Sequence, residues 1–515
     1  MTTPTPGVPA ASDKIDGAVL KIASVVVLGA IMSILDVTVV SVALPTFQSV
    51  FGHDGVPLSY ATVAWTMTAY TLALATVIPV TGWASDRFGT KRLYITALVL
   101  FVGASVLCSM AWNIESLIGF RVLQGLGGGM LMPLGMTIMT RAAGPHRVGR
   151  VMAVLGIPMM LGPICGPILG GWLIEAVSWH WIFLINLPVG IIALTAAFVL
   201  LPKDDPSPSE SFDFVGMLLL SPGLALFLFG VSSIPETGTV ASARVLVSAG
   251  IGLALVIGFI FHALRKADHP LIDLHLFRHR NLTISVVTST MFVIAFMGAG
   301  LLFPSYFLQV RGETTLAAGL LLAPQGIGAM LTMPLAGTLV DKIGPGKIVL
   351  GGISLIAIGM AVFTQVGADT PYPLLLGALF VMGLGMGCTM MPIMTAAMQT
   401  LTHETVARGS TLMNIVNQVA GSIGTATMSV VLTNQMMDRP LAGPATAAQH
   451  DPQIAAQLPP GAAEQGLSAA ADAFGNTFLV ALVLILLTLI PAFFLPRTKP
   501  AAPAEDGAPT AAMMH

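Results

Sequence analysis

The sequence predicts an all-α polytopic membrane protein of fourteen transmembrane helices, with two six-helix halves related by a parallel repeat and two inserted central helices. Of its 515 residues, 55% are hydrophobic and only 9% are charged, whereas a soluble protein carries about 25% charged residues. The 22 Lys and Arg are outnumbered by 24 Asp and Glu, so no basic face exists for a nucleic acid to bind. These counts place the chain in the lipid bilayer.

Fourteen apolar segments follow one another along the chain, and each approaches the roughly 20 residues that a spanning helix needs. The first has no small-residue cleavage site at its end, so we interpret it as a retained helix rather than a signal peptide. The predicted spans are 22–45, 61–83, 93–111, 116–140, 150–174, 182–201, 214–233, 245–264, 283–308, 316–340, 347–366, 373–399, 409–434 and 474–495.

The distribution of basic residues predicts the orientation of these spans, because cytoplasmic loops carry an excess of Lys and Arg. With a cytoplasmic N-terminus, 18 of the 22 basic residues fall on the cytoplasmic side and three, Arg244, Arg311 and Arg439, fall outside. An even number of spans then places both termini in the cytoplasm. We therefore expect a multi-pass protein of the cell membrane with both termini cytoplasmic.

The spans and the polar segments between them predict how the chain is organised. The segment 202–213 is a polar linker, and 435–473 is an Ala-, Pro- and Gln-rich outside loop. The predicted units are a cytoplasmic tail 1–21, an N-terminal half 22–201, a central part 202–282 with the linker, the inserted helices and a cytoplasmic amphipathic segment, a C-terminal half 283–495, and a disordered cytoplasmic tail 496–515.

A repeated loop supports this division. Gly82 and Gly337 each have Pro three residues before them, Asp four residues after (Asp86, Asp341), a base at the next position (Arg87, Lys342) and Gly seven residues after (Gly89, Gly344). The two loops are eight helices apart and on one side of the membrane, so the repeat is parallel. Parallel repeats build one large class of transporters around a central site.

One acid and one base lie within spans. Asp36 is mid-span, where a charged Asp costs about 2.5–3.5 kcal/mol on insertion scales. Burial disfavours the charged carboxylate and an adjacent Arg favours it, so Asp36 could load and release a proton if Arg121 approaches it. The alternatives are a static ion pair for Asp36 and an Arg121 that snorkels to the headgroups.

Three further groups of residues are candidates for function. Small residues of the fifth span (Gly156, Gly162, Gly166, Gly170), with Pro163, permit close helix contact and bending, as a seal or pivot between halves or as plain packing. Asn414, Asn417 and Gln418 share a helix face that either lines a wet cavity or joins helices by hydrogen bonds. Aromatic residues that could contact a substrate, or else anchor at the interface, are Trp65, Tyr70, Phe303 and Tyr306.

At this point several segments resemble the major facilitator superfamily, and within it the fourteen-helix drug:proton antiporters of the QacA/EmrB type. Segment 35–45 is similar to that family's first-helix motif, and Gly82 to Arg92 is similar to the loop motif of the superfamily. The fourth-helix motif is matched by Arg121, Gln124 and Gly125, the antiporter motif of the fifth helix by 156–171, and the stretch before the sixth helix by 179–190. The tenth span carries Gln325 where some relatives have an acid.

The resemblance implies alternating access, in which two halves rock around a midplane cavity and proton entry drives the export of lipophilic compounds, cationic ones in the first place. It makes Asp36 the proton carrier and Arg121 its partner, places Gln124 at the substrate cavity, and assigns a cytoplasmic gate to Gly82, Asp86, Arg87, Gly89, Lys91, Arg92, Asp341 and Lys342.

Two rival functions fit the same motifs: export of an endogenous lipid or siderophore-like metabolite, and uncoupled lipid scrambling or facilitation. No paired catalytic constellation or metal-ligand spacing indicates an enzyme. We expect small lipophilic substrates, protons and the lipid bilayer as partners, no required protein partner, and no metal or cofactor.

Overall fold

The computed structural model describes residues 16–52, 58–143, 147–203, 211–234, 239–265, 270–399, 401, 405–449 and 458–497. Every regular element in these residues is helical, and they contain no strand. The outer parts of the two predicted tails, 1–15 and 498–515, lie outside the described residues. The all-α prediction is therefore confirmed for the described part of the chain.

The first half of the chain forms seven helices, of which the short α6 and the following α7 make one span. Asn186 begins α7 directly after α6 ends. The helices are α1 (Gly17–Val50), α2 (Tyr60–Phe88), α3 (Thr90–Ser109), α4 (Ile114–Ala143), α5 (Val148–Ala176), α6 (Trp181–Leu184) and α7 (Asn186–Leu200).

The inserted pair and the second half follow. A 3-10 turn, Leu274–Arg278, stands where the amphipathic segment was predicted. The helices are α8 (Phe214–Ser232), α9 (Ala243–Arg265), α10 (Arg280–Gln309), α11 (Thr315–Leu321), α12 (Ala323–Ile343), α13 (Pro345–Phe363), α14 (Tyr372–Gly387), α15 (Met390–Met398), α16 (Val406–Met437), α17 (Ala442–Ala448) and α18 (Ala462–Ala492).

Within the described residues, thirteen helical segments are long and apolar enough to cross a membrane. They coincide with thirteen of the predicted spans, and α5 lies at the remaining one, the fifth. The polytopic membrane fold is thus as predicted, while the count of fourteen stays a prediction.

The predicted outside loop 435–473 is shorter than expected. Helix α16 continues to Met437, α17 occupies Ala442–Ala448, and α18 already begins at Ala462, twelve residues before the predicted start at 474. The added turns are rich in Ala, the strongest helix former, so helix propensity extends these elements beyond the apolar stretch that marks a span.

The repeated loop has the same backbone at both copies. Gly89 separates α2 from α3 with φ 91°, and Gly344 separates α12 from α13 with φ 82°. Residues with a Cβ rarely adopt such positive φ values, so the glycine of each motif ends one helix and starts the next. We call the end of the bundle that carries these two loops the motif end.

The two halves meet along few helices. Helix α5 packs against α12 and α15, and α2 and α4 pack against α16. The inserted helices form a hairpin, and α8 lies against α2 of the first half and α16 of the second. This arrangement places α1 and α4, which carry Asp36 and Arg121, inside the first half.

Candidate functional site

A buried ion pair lies at the centre of the first half. Arg121 of α4 donates from Nη1 to Oδ2 of Asp36 on α1, and both side chains are fully buried. The same Nη1 also donates to Oε1 of Gln124 over 2.7 Å. The structure thus brings together the acid and the base that the sequence singled out, and Arg121 does not snorkel to the membrane surface.

Gln124 completes the pair as a third member. Its Nε2 donates to Oδ1 of Asp36 over 2.7 Å, so each carboxylate oxygen accepts a hydrogen bond from a different residue of α4. Hydrogen bonds to the ionised carboxylate stabilise the charged form. The resemblance placed Gln124 at the substrate cavity, whereas here it is fully buried against Asp36.

The rest of the guanidinium group is held by α2. Nε of Arg121 donates to the carbonyl oxygen of Thr66 over 3.0 Å, and the ring of Tyr70 lies 4.2 Å from the guanidinium carbon. Tyr70 is itself buried and lies within 3.4 Å of the Ser33 hydroxyl. Tyr70 therefore contacts the ion pair directly, as a cation–π partner.

Three glycines of α5 pack against the residues of α1 before and after Asp36. A Cβ at Gly162 would lie 2.2 Å from Ile34, and one at Gly166 would lie 2.0 Å from Thr38. Gly170 packs in the same way against Val39. These glycines join α5 to α1 within one half, whereas a seal between halves was one interpretation of the stripe. Of the four glycines singled out from the sequence, Gly156 alone faces the other half, against Met333 and Met391. The side chain of Pro163 is outside the described set.

At the motif end, Asp86 lies between two arginines. Arg141 of α4 approaches Oδ1 at 3.3 Å, and Arg408, in the first turn of α16, has its Nε 4.0 Å from Oδ2. Arg408 belongs to the opposite half. A carboxylate at the start of a helix is also favoured by the helix dipole, so Asp86 connects the first half to the N-terminus of α16.

Asp341 makes the corresponding contact from the other half. Its Oδ1 accepts a hydrogen bond from the backbone N–H of Gly149 in the first turn of α5 over 3.1 Å, and Nε of Arg150 lies 3.8 Å from Oδ2. Asp341 is 7% exposed. The two aspartates of the repeat thus each face the N-terminus of a helix in the opposite half, and the motif end is closed.

Of the remaining basic residues of the motif, one binds a neighbouring helix and three are exposed. Lys91 donates from Nζ to the carbonyl oxygens of Phe198 and Leu201 at the end of α7, over 2.8 and 2.6 Å. A cation at this position also complements the helix dipole. Three bases of the predicted gate are exposed: Arg87, Arg92 and Lys342.

The polar face of α16 serves two purposes. Asn414 lies at the contact between halves, donating to its own helix at Ser410 and to Sδ of Met136 on α4 over 3.2 Å. Asn417 accepts a hydrogen bond from Ser289 of α10 over 2.8 Å. Gln418 is half-buried. Two of the three amides therefore join helices in this conformation.

The other predicted aromatic residues pack against protein. Trp65 stacks on Phe229 of the inserted α8, with ring centroids 5.6 Å apart. Phe303 lies between Phe363 and Phe478, and Tyr306 donates to the carbonyl oxygen of Gly367. Phe303 and Tyr306 are at most 1% exposed, so both belong to the core of the second half in this conformation.

Sequence reasoning missed Ser105 and Asn186, two buried polar residues that extend the cluster from Gln124. Both are polar residues inside apolar spans, the same signal that identified Asp36, but neither is charged. Among the described residues, no three His, Cys, Asp or Glu side chains come together as a metal site.

One family model and two known proteins match this chain over most of its length. The sequence model of the Major Facilitator Superfamily matches residues 26–425. The chain is similar to a multidrug resistance protein B homolog of Mycobacterium tuberculosis, with 49% identity over 95% of this chain and 92% of the relative. It is also similar to the multidrug export protein EmrB of Escherichia coli, with 30% identity over 82% of each chain.

Solved structures share the fold at low sequence identity. The human organic anion transporter MFSD10 superposes with a TM-score of 0.61 at 16% identity, over 91% of this chain and 99% of that one. The proton:xylose symporter XylE superposes with a TM-score of 0.57 at 15% identity, over 94% and 97% of the two chains.

Proposed function

The chain belongs to the Major Facilitator Superfamily, and we propose that it exports lipophilic compounds, cationic ones in the first place, in exchange for protons. The observation that carries this proposal is the cluster of Asp36, Arg121 and Gln124, fully buried inside an apolar half. Relatives are named as multidrug resistance and multidrug export proteins, which supports export of structurally diverse compounds.

Protonation of Asp36 is the proposed coupling step. The ionised carboxylate neutralises Arg121 in a site without solvent exposure, and a buried charge that loses its partner is costly. When a proton neutralises Asp36, Arg121 must therefore find another partner or reach water. Either outcome favours a conformation in which α1 and α4 have moved relative to each other.

Helix α5 would transmit that movement to the motif end. It is joined to α1 on both sides of Asp36 through Gly162 and Gly166, and Oγ1 of Thr38 donates to the carbonyl oxygen of Gly162 over 3.2 Å. The opposite end of α5 holds Asp341 through the N–H of Gly149. Displacement of α1 would thus shift α5 and loosen its contact with the second half.

The conformation with the motif end closed corresponds to the outward-facing state of this cycle. The excess of Lys and Arg in the loops on that side supports a cytoplasmic motif end, and Asp86 and Asp341 hold the halves together there. The half-buried Gln418 on α16 is a candidate substrate contact. Opening of the motif end would then admit substrate from the cytoplasm or the inner leaflet.

The direct test is export from vesicles that contain the purified protein. An imposed pH gradient should drive a lipophilic cationic dye out of the compartment that faces the motif end, and collapse of the gradient should stop it. A panel with antibiotics and lipids distinguishes the two exporter classes. Substrate movement that equilibrates but never accumulates, with or without the gradient, would contradict proton-coupled export.

The number of acids buried in mid-span predicts how many protons are exchanged per cycle. Among the described residues, Asp36 is the buried acid in the middle of a span, whereas the buried Asp213 and Asp341 lie at the ends of α8 and α12, so about one proton should cross per cycle. Exchange of one proton for one monocation moves no net charge, although a charge crossing 100 mV is worth about 2.3 kcal/mol. We expect export of a monocation to respond to the pH gradient and hardly to voltage, export of a neutral substrate to respond to both, and a dication to be a poor substrate.

Reconstituted vesicles with separately clamped pH gradient and membrane potential measure this directly. The neutral substrate is the internal control, because its export must respond to voltage if a proton is exchanged. Strong voltage dependence for a monocation, or efficient export of a dication, would show that a second titrating group takes part, with Glu115 or Glu175 at the span ends as the first candidates.

The orientation of the chain in the membrane can be tested by cysteine labelling. Gly443, in α17, is exposed and a Cβ there would meet no other atom within 4 Å. Gly443→Cys, with Cys108, Cys165 and Cys388 replaced, should react with an impermeant thiol reagent in intact cells. Lys342→Cys at the motif end should react only after permeabilisation. The reverse pattern would overturn the proposed topology.

A further inference from the structure

The start of the sixth span, α6 and the first residue of α7, has no role in the proposed cycle, but it reaches the ion pair through hydrogen bonds. Nε2 of Gln124 donates to Oγ of Ser105 over 3.2 Å as well as to Asp36. Nδ2 of Asn186, the first residue of α7, donates to the same Ser105 oxygen over 3.0 Å. Ser105 in turn donates to the carbonyl oxygen of Phe183 over 2.9 Å.

These bonds leave a single arrangement of donors and acceptors. The hydroxyl proton of Ser105 is used on Phe183, so its oxygen accepts from both amides. Both N–H groups of Gln124 are then used, one on Asp36 and one on Ser105. The carbonyl oxygen of Gln124 accepts from Arg121 and from Sγ of Cys108. A side-chain amide has no further donors.

We propose that Ser105 and Asn186 are positioning residues of the proton-coupling site, holding the amide of Gln124 so that it donates to Asp36. This inference rests on the proposed function. In the reversed orientation, the amide oxygen of Gln124 would face Asp36, an arrangement that suits a protonated carboxylic acid and repels a carboxylate. Ser105 and Asn186 oppose that reversal from the N–H side of the amide, and Arg121 opposes it from the oxygen side.

Few titratable groups lie around Asp36 and Gln124 in the described residues. Arg121 on α4 and Tyr70 on α2 face the acid, and Cys108 on α3 lies against Gln124. Helices α6 and α7 have no titratable side chain, and α5 has Arg150 and Glu175 near its two ends with Cys165 between them. Arg121 supplies the charge beside Asp36 and holds the oxygen of the Gln124 amide, while Ser105 and Asn186 hold its N–H side.

The test compares two serines of α3. Ser105→Ala removes the shared acceptor, and Asn186→Ala removes one of its donors. Ser109→Ala is the matched control, because Ser109 is also buried but donates only to the carbonyl oxygen of Val106 in its own helix. Protonation of Asp36 is followed by its carboxylic-acid C=O infrared band, assigned as the band that Asp36→Asn lacks.

We expect the midpoint of this titration in Ser105→Ala to differ from that of the wild type, because the Gln124 amide that donates to Asp36 then loses one of the hydrogen bonds that hold it. Asn186→Ala should move it in the same direction, and Ser109→Ala should leave it unchanged. The pH profile of dye export should move in parallel. Equal midpoints in Ser105→Ala, Asn186→Ala and Ser109→Ala would overturn the proposal.

The two readouts separate this inference from the proposed function. If the infrared midpoint shifts as expected but export does not depend on a pH gradient, the positioning role stands and proton coupling fails. If export is proton-driven and the midpoint does not shift, coupling stands and the positioning role fails. An Asp36 that never titrates, in wild type or in any variant, contradicts both.

Discussion

Asp36→Asn should abolish export driven by a pH gradient. Asn nearly keeps the volume and the polarity of Asp but cannot exchange a proton, so the step that loads the cycle is lost. The variant also leaves Arg121 buried without a counter-charge, which costs about 3–5 kcal/mol when one partner of a buried pair is removed. We therefore expect a folded but less stable protein, in which gradient-driven efflux falls to background.

Two matched variants separate coupling from stability. Asp36→Glu keeps a titratable group and should retain some gradient-driven export. Asp36→Asn combined with Arg121→Gln removes both charges, so its thermal stability should recover relative to Asp36→Asn alone while gradient-driven export remains absent. Arg121→Ala alone should also fail to export. If Asp36→Asn accumulates substrate against a gradient as wild type does, the ion pair is structural and another group carries the proton.

The fold and the ion pair could be predicted from sequence because both arise from large free energies. Apolar segments of spanning length and the bias in Lys and Arg mark the helices, and a charge at the helix centre is too costly to be incidental. Because Asp36 and Arg121 are the acid and the base within the predicted spans, the sequence made them the candidates for such a pair, and the structure shows that they meet.

The neutral members of the site could not be ranked in the same way. Gln124, Ser105 and Asn186 are buried polar residues, but many buried Ser and Thr residues in this chain only donate to their own helix, as Ser109 does. What distinguishes Ser105 is the approach of α7 in space. A hydropathy pattern contains no information on which helix faces which.

The same limit explains the aromatic residues. Trp65 was a candidate substrate contact because it is an aromatic residue in a span, yet α8 packs beside α2 and Phe229 stacks on its ring, while Trp65 stays 38% exposed. The composition of the inserted hairpin does not determine where it packs against the two halves. Phe303 and Tyr306 likewise gain their neighbours from helices far away in sequence, α13 and α18.

The repeated glycines of the motif end provide the second prediction with a large expected effect: Gly337→Ala should strongly impair export, more than Gly82→Ala does. A Cβ at Gly337 would lie 2.8 Å from the carbonyl oxygen of Gly149 and 3.0 Å from Cβ of Ala153. Neither atom belongs to a flexible side chain, so the halves must separate to relieve the clash.

The magnitude follows from the cost of overpacking. Inserting a methyl group into a well-packed contact costs about 1–3 kcal/mol, which shifts a two-state equilibrium by roughly five- to 150-fold. Because Gly337 and Gly149 meet across the halves, this cost falls on the closed motif end. Export should decrease by a factor in that range, since the cycle must pass through the closed state.

Gly82 and Gly351 provide graded controls for this effect. At Gly82 the nearest atom is Oγ1 of Thr411 at 3.0 Å, a side chain that can rotate, and the next is 3.5 Å away; at Gly351 nothing lies within 4 Å. All three glycines are inside helices, so the gain in helix propensity is the same.

A cysteine at Ser410, which is buried between the halves, reports how often the motif end opens. The Ser410→Cys side chain should react with an impermeant reagent at the motif end fastest in Gly337→Ala, more slowly in Gly82→Ala, and at the wild-type rate in Gly351→Ala. Equal rates in Gly337→Ala and Gly351→Ala would mean that this contact does not hold the motif end closed, because the clash would then have been absorbed within one half.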